Sequence, residues 1–137
     1  MQSLAIAYPV TPGKGQEWRY WGKEIRGVRR LEYLAFRRRV GLVAHRIYFQ
    51  HTPQVDLAIF YLEGHDLRRV FEYLRTAQDP FAAWVRQWAL ELLNGLDLSQ
   101  TPLESMSVLA FDGPSIETEE VGGRTLEEID RLEMMGP

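Results

Sequence analysis

VAHRIYFQH (residues 43–51) and VDLAIFYLE (residues 55–63) are two runs of β-branched and aromatic residues on either side of Thr52-Pro53-Gln54. Runs of this kind around a short polar break that contains proline read as the two strands of a hairpin. A three-residue turn at Thr52–Gln54 sets His51 opposite Val55, and so His45 opposite Tyr61. On that register Val43, His45, Ile47, Phe49 and His51 share a face with Val55, Leu57, Ile59, Tyr61 and Glu63. That face is apolar in its middle and gathers His45, Tyr61 and Glu63 at one end. Arg46, Tyr48, Phe60 and the pair Gln50/Asp56 take the other face. A two-residue turn shifts every side chain to the opposite face and dissolves the cluster.

Upstream of the hairpin, Leu4 to Val10 (LAIAYPV) is a short apolar run stopped by Pro9, Pro12 and Gly13, and it reads as a buried strand. From Lys14 to Val40 the period becomes helical. Trp18, Trp21, Ile25 and Val28 follow at 3–4–3 spacing, Leu31 and Ala35 continue the stripe, and Gly41 stops it. Gly22 and Gly27 weaken this helix and mark where it would kink. Downstream, Asp66 stands as the cap of a helix whose apolar face is Leu67, Val70, Phe71 and Leu74. A second helix opens at Asp79 with Pro80 in its first position, carries Phe81, Trp84, Val85, Trp88 and Leu92 on one face, and closes at Gly95. Met106 to Phe111 (MSVLAF) is a last strand.

The order β-α-β-β-α-β is the split-βαβ, ferredoxin-like arrangement of the α+β class: a four-stranded antiparallel sheet with helices on one face. Both hairpin strands carry large residues at both parities, so the second sheet face is too apolar for water. A second copy laid sheet to sheet would cover it, and a homodimer is expected. Residues 1–113 form this domain. Residues 114–137 form an acidic tail with seven acids against two arginines, and one short helix opened by Thr125-Leu126-Glu127-Glu128. The first helix is strongly basic, and the tail is expected to lie over it or to stay unstructured as a solubilising segment.

The chain's 137 residues suit one domain, and 45% hydrophobic with 26% charged residues is an ordinary globular balance. Without cysteine there is no disulfide frame, thiolate nucleophile or Cys-ligated metal. No apolar run approaches the ~20 residues that span a bilayer and the start lacks a basic leader, so a cytoplasmic protein without a membrane partner is expected. Residues 1–50 hold ten basic residues against three glutamates, yet the net charge is −3, which favours internal pairing over nucleic-acid binding. VDLAIFYLEG also lacks the basic-glycine-aromatic signature of RNA-recognition strands. Phosphate-loop, nucleophile-elbow and dinucleotide motifs are absent, and no cofactor is expected. His45 and His51 lie about 20 Å apart along one strand, too far to share an ion, and no metal site is expected.

Two functional classes stay open. The indoles of Trp21, Trp84 and Trp88, with Trp18, stand on sheet-facing stripes and could line a pocket for a flat apolar molecule between helices and sheet, or simply fill the core. Alternatively, His45, Tyr61 and Glu63 could move a proton, with the carboxylate orienting the imidazole, or His45 could be a structural histidine satisfied by one hydrogen bond. The pieces RRRVGL, HRIYFQHTPQVD, AIFYLEG, DPFAAW and NGLDL, spread over Arg37–Leu98, resemble a bacterial family of small uncharacterised proteins of the dimeric α/β-barrel type. The resemblance implies the ferredoxin-like fold and sheet-to-sheet dimer, and it carries no assigned reaction. Related barrels include cofactor-independent monooxygenases, muconolactone-type isomerases, haem-degrading enzymes and stress-responsive proteins. The resemblance sets a carboxylate where His45 stands and a histidine where Asn94 stands, so it transfers no catalytic role to either position.

Overall fold

The computed structural model describes residues 1–106 and 108–112. The expected tail, 114–137, lies outside them. The chain is α+β. Strand β1 (Gln2–Pro9) is followed by helices α1 (Gly15–Arg26) and α2 (Arg30–Val40), then strands β2 (Leu42–Gln50) and β3 (Leu57–Gly64). Helices α3 (Leu67–Thr76) and α4 (Pro80–Leu92) come next, and the backbone of β4 (Val108–Asp112) ends the described chain. The sheet is antiparallel in order β2-β3-β1-β4, so β2 is an edge strand and β1 and β3 are central.

The helices pack on the sheet face that bears Leu4, Ile6, Ala58 and Leu62, which form one core with Phe81, Val85, Trp88 and Leu92. On β1 and β3 the alternation of buried and half-buried residues follows from side chains pointing to opposite faces at period two.

The helix expected over 14–40 is two helices. At Gly27 the chain folds back over the end of α1, where both Gly27 N and Arg29 N donate to the Glu24 carbonyl. A Cβ at Gly27 would sit 3.0 Å from the Lys23 carbonyl oxygen, so a side chain there would crowd the backbone of the turn. The break ends the first apolar stripe at Ile25. Val28 and Leu31, expected on the buried face, are 83% and 81% exposed, and α2 starts a new stripe that buries Phe36 and Val40.

The hairpin register also differs from expectation by one residue. The connection is six residues, His51 to Asp56, and is closed by Val55 N donating to Thr52 Oγ1 at 3.0 Å and by a 2.6 Å contact of His51 Nδ1 with Asp56 Oδ1. Gln50 therefore pairs with Leu57, Arg46 with Tyr61 and His45 with Leu62. Phe60 consequently turns inward against Trp88, where the three-residue turn would have put it outside. A bulge between Leu42 and Ala44 then lets Leu42 and His45, three residues apart, both face the helices.

The cap expected from Asp66 is supplied instead by Gln2, whose buried Oε1 accepts from Leu67 N at 2.8 Å and ties α3 to β1. Asp79 caps α4 as expected, accepting from Ala82 N at 2.9 Å with Pro80 in the first turn.

Candidate functional site

Between the sheet and the helices lies an apolar cavity of about 100 Å³, bordered by Ile6, His45, Ile47, Phe60, Trp21 and Trp88 among others. An open groove of about 530 Å³ runs beside it between α1, the start of α2 and the β2 edge. Trp21, Ile25, Tyr33, His45 and Ile47 border both spaces, so these five side chains form the wall between the surface groove and the interior.

The tryptophans form one stack. Trp21 and Trp88 lie 4.1 Å apart at 20°, and Trp84 stacks on Trp21 at 5.9 Å and 13°. Trp18 leans on Trp88 at 5.5 Å. Trp21 and Trp88 are buried and reach the cavity. Trp84 does not: it faces a separate groove between α1 and α4, with the Arg29 guanidinium 4.6 Å above its ring. Arg29 is held there by Glu32 at 3.0 Å and Glu24 at 3.5 Å, so the α1–α2 turn is pinned to α4. The buried indole nitrogens of Trp21 and Trp88 have no hydrogen-bond partner among the described residues. A buried donor without an acceptor costs about 1–3 kcal/mol, and two of them stand side by side here.

His45 is the polar group at the wall between groove and cavity. Its Nδ1 lies 2.8 Å from the Tyr33 hydroxyl. Burial, assisted by the charge of Arg37, pushes its pKa down from 6.5 to about 4, so the ring is neutral near pH 7. Burial raises the Tyr33 hydroxyl, against the pull of Arg37, and keeps it protonated. Arg37 itself donates to the Val43 carbonyl at 2.5 Å, across the bulge that aims His45 inward.

Tyr61 and Glu63 are together but elsewhere. The Tyr61 hydroxyl donates to Glu63 Oε1 at 2.5 Å, with the Arg46 guanidinium 5.8 Å from the Tyr61 ring centre. That hydrogen bond to Glu63, followed by burial, raises the Tyr61 pKa. The register sets this pair on the face opposite His45, so the expected three-residue cluster does not form. The residue that does reach His45 is Tyr33, which a stripe running unbroken from α1 hides. Restarted after Gly27, the spacing Tyr33, Phe36, Arg37, Val40 marks an inward face.

Among the described residues no three His, Asp or Glu side chains converge as a metal site, and no helix is long and apolar enough to cross a membrane. No protein-family model and no curated protein matches the chain.

Proposed function

We propose that the protein binds a small apolar or aromatic molecule between its helices and sheet, on a ferredoxin-like fold of the dimeric α/β-barrel type. The observation that carries this reading is the shared wall of the cavity and groove, built from Trp21, Ile25, Tyr33, His45 and Ile47. Apolar walls with a few placed polar groups are the usual make-up of small-molecule sites. An acceptor atom on such a molecule would also satisfy an indole N–H of Trp21 or Trp88. The strand order with two helical crossovers supports the ferredoxin-like assignment. The outer sheet face, where Ala5, Ala7 and Ile59 are half-buried and Tyr48 is 53% exposed, supports a second copy laid against it.

The alternative, a cofactor-independent monooxygenase or isomerase that works through His45, Tyr61 and Glu63, finds less support. Two of the three residues lie on the far sheet face. A histidine of pKa about 4 is also a weak base at neutral pH. Leu74 lines the cavity, and Leu74→Phe would fill it. Affinity for neutral octanamide, followed by calorimetry, should then fall at least about tenfold while the circular-dichroism spectrum stays unchanged. Unchanged affinity would overturn the cavity as the site.

A further inference from the structure

We propose that the ligand is an amphipathic carboxylic acid, its carboxylate held by Arg26 and Arg30 at the groove and its apolar end directed into the cavity. This inference rests on the binding reading above and adds the chemical class of the ligand. Arg26 and Arg30 both border the groove, beside the apolar wall shared with the cavity. Neither side chain has a hydrogen bond or ion pair among the described residues, although Arg29 between them in sequence is paired twice. The acids nearest in sequence, Glu24 and Glu32, are thus spent on Arg29, and among the described residues no acid pairs with the two cations, which stand beside the apolar wall and its polar groups Tyr33 and His45.

Arg26 has a built seat. A Cβ at Gly22 would lie 3.2 Å from Arg26 Nη1 and 3.4 Å from Nη2, so the guanidinium rests against the bare backbone of α1 on the groove side. Glycine inside a helix costs about 1 kcal/mol relative to alanine, and here the missing side chain makes the room the guanidinium occupies. A guanidinium presents paired N–H donors that match the two oxygens of a carboxylate. His45, held neutral, adds no competing charge at the wall.

Size sets which end goes where. An engineered dry cavity of roughly 150 Å³ admits benzene, so about 100 Å³ takes a short alkyl end and leaves the rest of the molecule in the groove.

The test is calorimetry of the full chain at low ionic strength with octanoate and its neutral counterpart octanamide, for the parent and for Arg26→Gln/Arg30→Gln. Both arginines are exposed, so the double variant leaves the core intact. In the parent, octanoate should bind at least about tenfold more tightly than octanamide. In the double variant octanoate should fall to the octanamide level, with octanamide unchanged. Equal binding of the two in the parent, or a preference that survives in the double variant, overturns the carboxylate inference and leaves the cavity reading standing. Binding of neither overturns both.

Discussion

Replacing His45 with glutamine should flatten the acid side of the stability curve. In the folded chain the ring stays neutral down to about pH 4, whereas an unfolded histidine protonates near 6.5. Unfolding therefore takes up a proton anywhere between those values, and stability is full above pH 6.5 and declines as pH drops toward 4. Each unit of separation is about 1.4 kcal/mol, which gives roughly 3 kcal/mol across the window. The ring keeps some solvent contact along the β2 edge, and this screening trims the expected loss to about 2 kcal/mol. Glutamine can still meet the Tyr33 hydroxyl but does not titrate. Urea unfolding at half-unit steps from pH 7.5 to 4 would give the two curves, and their difference isolates His45 because every other group is common to both. The parent should lose about 2 kcal/mol more than the variant, nearly all below pH 6.5. Parallel curves would refute the buried, neutral imidazole and its role at the cavity wall.

Asp79→Ala removes both the cap on Ala82 N and the acceptor for the Tyr73 hydroxyl, and should lower stability by about 1–2 kcal/mol. Asp79→Asn keeps a capping oxygen and should recover most of that in the same thermal melts. The proposed sheet-to-sheet dimer would give a light-scattering mass of about twice 15.9 kDa. Tyr48→Glu, on the exposed outer face, should return the chain to monomer without altering octanamide binding.

Element order was legible from the sequence because each element carries its own period. LAIAYPV, the hairpin runs and the Asp79-Pro80 start each declare themselves within ten residues. What depends on one residue's offset was not legible. The loop from His51 to Asp56 looks like a three-residue turn plus strand ends, and its true length follows from Thr52 Oγ1 bonding to Val55. That single step put Phe60 inside and left Tyr61 and Glu63 on the far face. The break at Gly27 acted in the same way on the helix. A continuous stripe hides Tyr33, and a stripe restarted at Arg30 exposes Leu31 and turns Tyr33 toward His45. The tryptophan stripes were legible as core-facing, but their depth was not: Trp21 and Trp88 reach the cavity while Trp84 lies under Arg29.

The most direct measurement is a methyl NMR titration of the isoleucine-labelled full chain with octanoate. Ile6, Ile25 and Ile47 border the cavity, and Ile59 points from β3 to the opposite sheet face, paired with Tyr48. Binding between helices and sheet predicts saturable shifts of the first three methyl signals with Ile59 unmoved. Shifts confined to Ile59, or no saturable shift at any of the four, would contradict it.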